Sequence, residues 1–173
     1  MELTQAIFTR CSCRSFTAEA VSEEQLKAVL AAANAAPVGM GAYGTVHLTV
    51  IRNKEFLAGL SAATREFMKR DGDPIYGAPV LVLVSAKPGM PPTIEFQNTG
   101  TIIENMMLTA TDLGLGSVYL GSIQAVNNSF EVLYKLKLKD GFWPVAALAV
   151  GNAKEAAEER EIPVDKIYTN IIA

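Results

Sequence analysis

The sequence predicts an α/β or α+β domain in which helices sandwich a central sheet. Three observations carry this expectation. Apolar residues recur at helical spacing in several stretches, short runs rich in Val, Leu and Ala stand between them, and the two kinds are interspersed with no internal repeat or low-complexity segment. At 173 residues the chain suits one domain, residues 1–173, able to bury a sizeable core without disulfides or metal. A hydrophobic fraction of 50% is rich for a monomer of this size and favours extra burial in an oligomer.

Leu3, Ile7 and Arg10 mark a short opening helix, after which an extended segment follows. Ser22 and Gln25 form a capping box, and Leu26, Val29, Leu30 and Ala33 repeat at i, i+3, i+4 and i+7 until Pro37 stops the helix. Residues 46–52 read as a strand. Asn53 caps a helix over about 54–69, with Phe56, Leu57, Leu60, Ala63 and Phe67 on one face. Asp71, Gly72, Asp73 and Pro74 break the chain. Val80 to Val84, five apolar residues in a row, predict a strand buried on both faces. The loop around Pro88, Pro91 and Pro92 leads to the longest helix, about 94–113, with Ile102, Ile103, Met106, Ala110 and Leu113 on its apolar stripe and Gly114 at its stop. On that helix Glu104 and Asp112 are too far apart for a carboxylate dyad and read as solvated or salt-bridged. A strand between Gly116 and Gly121, a helix from Asn128 to about Leu136 and a last core strand over 143–150 complete the body. The tail from Lys166 to Ala173 carries Ile167, Ile171 and Ile172, which should be covered by a neighbour.

Charge narrows the function. A net charge of −3 argues against general binding to nucleic acid or to an anionic membrane, so any anion site must be local. No signal peptide and no membrane-length apolar run is visible, and two reduced cysteines suit a cytoplasmic protein. Metal binding lacks ligands, with His47 the only histidine. One histidine and no paired carboxylates also leave no Ser-His-Asp set to assemble.

Arg10, Ser12 and Arg14 stand at every second residue, so in extended backbone they share a face while Cys11 and Cys13 turn the other way. Two guanidinium forks flanking a hydroxyl suit a phosphate. Two solvated arginines beside a turn are the alternative. Residues 39–44 match G-x-G-x-x-G letter for letter, but a helix precedes them and a strand follows, the reverse of the dinucleotide fingerprint. They read as a helix-to-strand loop whose missing side chains let something flat approach the backbone, or as an ordinary glycine loop.

Taken together, Arg10, Ser12, Arg14 and Phe16, then Ala35-Ala36-Pro37, Ala78-Pro79, Glu104-Asn105-Met106 with Leu108, Gly114 to Ser117, and Gly151 resemble, in order and spacing, the FMN-dependent nitroreductase family. The resemblance covers nearly the whole chain. It implies an α+β fold with a mainly antiparallel sheet sandwiched by helices, and an intertwined homodimer with an FMN at each of two subunit interfaces. It also implies a C-terminal tail, about 160–173, packing on the partner subunit. Arg10, Cys11, Ser12 and Arg14 fall in the family's FMN phosphate and ribityl segment. Val38, Gly39, Met40 and Gly41 resemble the loop that meets the flavin edge, often from the partner. Gly121 and Ser122 sit where relatives present amides near flavin N5, and Arg160 where a basic pair completes the phosphate cage. Two departures stand out: Gly41, Ala42 and Tyr43 replace the family's asparagine and Gln-Pro-Trp, and the basic pair reduces to Arg160 beside Glu158 and Glu159.

The implied activity is ping-pong hydride transfer from NADH or NADPH, through FMN, to a small electron acceptor such as a nitroaromatic or quinone, with FMN rather than a side chain carrying the chemistry. An FMN-holding protein without steady turnover, or a specialised flavin-dependent dehydrogenase or dehalogenase, are the alternatives.

Overall fold

The structure, a computed structural model, describes residues 1–69 and 71–172. The expected tail includes Ala173, which lies outside the described residues. Among the described residues five helices and four strands form the frame: α1 (Leu3–Thr9), α2 (Glu23–Asn34), β1 (Val46–Ile51), α3 (Lys54–Met68), β2 (Val80–Ala86), α4 (Ile94–Asp112), β3 (Gly116–Leu120), α5 (Phe130–Leu136) and β4 (Trp143–Gly151). Short 3₁₀ turns occupy Gly39–Gly41 and Tyr43–Thr45, and a longer 3₁₀ segment spans Gly121–Asn128.

The four strands lie in the order β1-β2-β4-β3, every neighbouring pair antiparallel. Central β2 is buried along its whole length, as a continuous apolar run requires. Its alternate residues divide between two cores. Val80, Val82 and Val84 pack with Leu26, Val29, Ile103 and Met106 of α2 and α4 on one face. On the other, Leu81 and Leu83 pack with Leu57 and Leu60 of α3, Ile123 and Val126 of the 3₁₀ segment, and Val132 of α5. This is the sandwiched antiparallel sheet of an α+β domain. No described helix is long and apolar enough to cross a membrane.

Local signals explain the boundaries. At α2 the capping box is complete: Ser22 Oγ accepts from Gln25 N–H at 3.1 Å and Gln25 Oε1 accepts from Ser22 N–H at 3.0 Å. Asn53 caps α3 by accepting from Phe56 N–H at 2.8 Å. α4 ends in a Schellman motif, with Leu115 N–H donating to Ala110 O and Gly114 N–H to Thr111 O. Gly114 holds the φ of +72° that this turn demands.

Two expectations need correction. The helix drawn from Asn128 starts at Phe130, because Ser129 adopts an extended conformation and caps it, accepting from Val132 N–H, while 121–128 is 3₁₀. Phe67, placed on the buried face of α3, is 55% exposed near the end of that helix. In the single chain residues 154–172 are irregular and exposed.

Candidate functional site

The Arg10–Phe16 segment is extended because it lies along the free edge of the sheet. Ser12 bridges Ser117 of β3 in parallel, Cys13 N–H donates to Ser117 O at 2.9 Å, and Phe16 bridges Ala153 beyond β4. Thr17 N–H to Asn152 O (2.8 Å) and Lys154 N–H to Ser15 O (3.1 Å) complete the attachment. A strand edge of unpaired backbone groups is thereby satisfied. The expected alternation holds in part: Cys13 packs against the core while Ser12 and Arg14 face solvent, but Cys11 lines the same cleft as they do, Arg10 is half-buried, and Phe16, in step with Arg14, is buried. Both cysteines are free thiols.

Arg10 stands at the C-terminus of α1 and directs Nε to Glu104 Oε1 of α4 at 3.6 Å. Glu104 is therefore salt-bridged, as is Asp112, which takes the Met1 amino group. Arg14 has no acidic partner among the described residues, and its guanidinium carbon lies 6.0 Å from the Tyr76 ring centroid. Arg160, 150 positions from Arg10, comes back to the same place: it donates from Nη2 to Arg10 O and from Nε to Phe8 O at 3.4 Å. Carbonyls at a helix end are natural acceptors for a guanidinium. Three arginines thus gather around one short segment.

Beside this segment a cleft of about 620 Å³ is lined by Cys11, Ser12, Cys13, Arg14, Gly116 and Ala157, among others. Ser117, which bridges Ser12, is 2% exposed, and its Oγ has no hydrogen-bond partner among the described residues. A buried hydroxyl without a partner is costly unless something else engages it. On the wall of this cleft Arg14 offers a guanidinium fork and Ser12 an exposed hydroxyl, a pair that suits a phosphate, with Arg10 and Arg160 joined at the start of the same segment. These residues fit the tail of an FMN.

Gly121 and Ser122 begin the 3₁₀ segment at the end of β3. Ser122 lines a second cavity of about 390 Å³ together with Arg65, Asp73, Pro74 and Tyr76. Tyr76 connects this cavity to Arg14, and reading the sequence as a broken chain at 71–74 missed it. The available signal was Asp73: its carboxylate accepts from Ser61 Oγ (2.6 Å), Ile75 N–H (3.1 Å) and Gly77 N–H (2.6 Å), folding a turn that holds Tyr76 at φ +58°.

The Val38–Gly41 loop is placed apart from the clamp. Val38 is buried, whereas Met40, at φ +56°, is 80% exposed. Gly39 N–H donates to Asn98 Oδ1 at 2.9 Å, and a Cβ on Gly39 would stand 2.9 Å from Ile94 Cδ1, so a side chain here would require the Ile94 side chain to shift. None of the loop residues is among the walls of the cleft at the clamp. Arg160 is thus joined to Arg10, Ser12 and Arg14 share a cleft with Cys11, Ser122 joins Arg14 through Tyr76, and the glycine loop stays on another face of α4.

Comparison with known proteins agrees with this architecture. The sequence profile of the nitroreductase family matches residues 7–74 and 69–152. The chain is 32% identical over 123 residues to an Archaeoglobus fulgidus protein named for NADH dehydrogenase/NAD(P)H nitroreductase activity, covering 69% of this chain and 67% of that one. Two crystal structures of nitroreductases with bound FMN superpose on it. That from Bacteroides fragilis gives a TM-score of 0.85 at 28% identity and 100% coverage of both chains. That from Desulfitobacterium hafniense gives 0.86 at 26% identity, covering 99% of this chain and 100% of that one. With a profile match across most of its length and an antiparallel sheet carrying the Arg-Ser-Arg segment on its edge, the chain belongs to the nitroreductase family.

Proposed function

We propose that this protein is an FMN-dependent oxidoreductase that passes hydride from NADH or NADPH to a small electrophilic acceptor, a nitroaromatic or a quinone. The observation that carries the reading is the segment on the sheet edge, with exposed Ser12 and Arg14 on the wall of one cleft and Arg160 bonded to the carbonyl of Arg10 at its start. Relatives at this level of likeness hold FMN.

Arg10 and Arg14 would hold the phosphate, Arg10 oriented by Glu104 and Arg14 braced by Tyr76. Arg160, occupied by the carbonyls of Phe8 and Arg10, adds positive charge and fixes the backbone of the clamp. The amides of Gly121 and Ser122 would orient the ring, and Val38 to Gly41 would border it from a second subunit. When bound, FMN supplies hydride acceptance and donation at one ring face, so reductant and acceptor take turns in a ping-pong cycle. The protein's part is binding, orientation and exclusion of water. A homodimer suits the tail as well: Val164, Ile167, Tyr168, Ile171 and Ile172 are each at least 79% exposed in the isolated chain, and a partner subunit would cover them.

Flavin content of the purified protein and anaerobic bleaching by NADH and NADPH test this reading. A yellow protein that bleaches and is recoloured by a nitroaromatic or quinone is expected. Colourless protein that takes up no FMN would overturn it. Yellow protein that neither reductant bleaches favours a flavin-holding role, to which the glycine loop, with no side-chain donors between Gly39 and Ala42, is suited.

A further inference from the structure

Asn98, Thr101 and Asn105 stand at i, i+3 and i+7 on α4, a single stripe of the helix. Each reaches backbone of the α2 layer. Asn98 Oδ1 accepts from Gly39 N–H at 2.9 Å. The single proton of Thr101 Oγ1 is shared between Pro37 O at 3.0 Å and Asn98 O at 2.9 Å. Asn105 Nδ2 donates to Ala32 O at 3.3 Å. That carbonyl belongs to the last turn of α2, where Ala36 N–H turns to Ala33 O instead and leaves it without an intrahelical donor. The stripe therefore follows the chain from the end of α2, through Pro37, to the first glycine of the loop.

The loop closes its own turns, with Gly41 N–H donating to Val38 O at 2.9 Å and Ala42 N–H to Gly39 O at 3.1 Å, and Tyr43 Oη donates to Ala36 O at 3.1 Å, but none of these bonds ties it to α4. Met40 is 80% exposed, and a Cβ on Gly41 would meet nothing within 4 Å. Its anchor is at Gly39, where Asn98, 4% exposed, shields the bond from water. A loop without side-chain donors can contribute only through where its backbone stands.

We propose that Asn98, Thr101 and Asn105 are positioning residues, a polar ladder that sets the height of the Gly39–Gly41 backbone and with it the room left for the acceptor. The assignment of this loop to the flavin edge rests on the function proposed above; the hold of the ladder on the loop does not.

The test compares Asn98→Leu, which removes the acceptor, Asn98→Asp, which keeps an oxygen there, and Thr101→Val at the exposed margin of the stripe. Hydrogen exchange at Gly39–Ala42 should be about tenfold faster in Asn98→Leu and Thr101→Val, and near wild type in Asn98→Asp. FMN affinity should stay within about twofold, since the phosphate clamp is untouched, while KM for 4-nitrobenzoate rises about fivefold with kcat unchanged. Unchanged exchange in folded Thr101→Val and Asn98→Leu overturns the ladder. Faster exchange with KM unchanged reduces it to a structural clasp and overturns the positioning role. If Asn98→Leu does not fold, Thr101→Val decides. A wild-type protein that takes up no FMN removes the proposed function, and the exchange rates then decide the ladder by themselves.

Discussion

Arg14 is the side chain on which cofactor retention turns. It is exposed, has no carboxylate partner among the described residues and is steadied only by Tyr76. Arg14→Ala should weaken FMN binding by roughly 1.5–3 kcal/mol, the worth of a charge-assisted hydrogen-bond set, read as a shift in the flavin fluorescence titration. An unchanged titration would remove Arg14 from the phosphate site. Tyr119 gives a second residue-level expectation. Burial raises its phenol above the usual 10.0, because the phenolate is the form that loses hydration. A folded-state value above the unfolded one leaves stability constant below pH 10.0 and lowers it as pH rises from there through the raised value. Tyr119→Phe should flatten that alkaline decline in Tm; an equal decline in both proteins would contradict it. The outward turn of Ser12 and Arg14 against Cys13 was legible because extended backbone has a period of two, whereas Cys11, which shares their cleft, departs from it. Tyr76 was not, because its placement depends on a turn built by Asp73.

At the scale of elements, β4 ends at a close approach. A Cβ on Gly151 would lie 2.6 Å from Pro79 Cδ and 3.0 Å from Phe16 Cδ1, joining the entry to β2, the end of β4 and the end of the clamp segment. Gly151→Ala should cost about 1–3 kcal/mol by overpacking, measured by urea denaturation, and should loosen FMN as Phe16 moves. Ser22→Ala, which breaks the capping box, should cost about 1 kcal/mol and leave FMN binding alone. Most elements could be read from the chain because their signals are local: the run 80–84, the caps at Ser22 and Asn53, and the stop at Gly114. Where several weak signals compete, as between Gly121 and Phe130, the 3₁₀ segment escaped notice. The ladder escaped for a different reason: Asn98, Thr101 and Asn105 are polar, and polar residues on a helix read as its wet side until a neighbouring layer is known to lie there.

The whole molecule places its parts of the site on different faces of one helix. Arg10 meets α4 at Glu104, and Gly39 meets it at Asn98. Family resemblance, rather than residue pattern, supplied the expectation that these belong to two cofactor sites. Such pairing across subunits leaves no mark in local periodicity. Sedimentation of the full chain should give a dimer. Removing residues 162–173, with exposed Ile162, Val164, Ile167, Tyr168, Ile171 and Ile172, should shift it toward monomer. A full-length chain that sediments as a compact monomer with flavin bound would refute the two-subunit site. Separation of clamp and loop has a further consequence. If each site borrows its ring-side wall from the other chain, flavin retention becomes a matter of mass action: the yellow colour should fade on dilution through the dimer dissociation constant even at saturating flavin-to-protein ratio. Arg14 variants would hold flavin more weakly whether the protein is concentrated or dilute, whereas tail-truncated variants would lose it only when dilute. The two halves of the site would then be told apart by dilution alone.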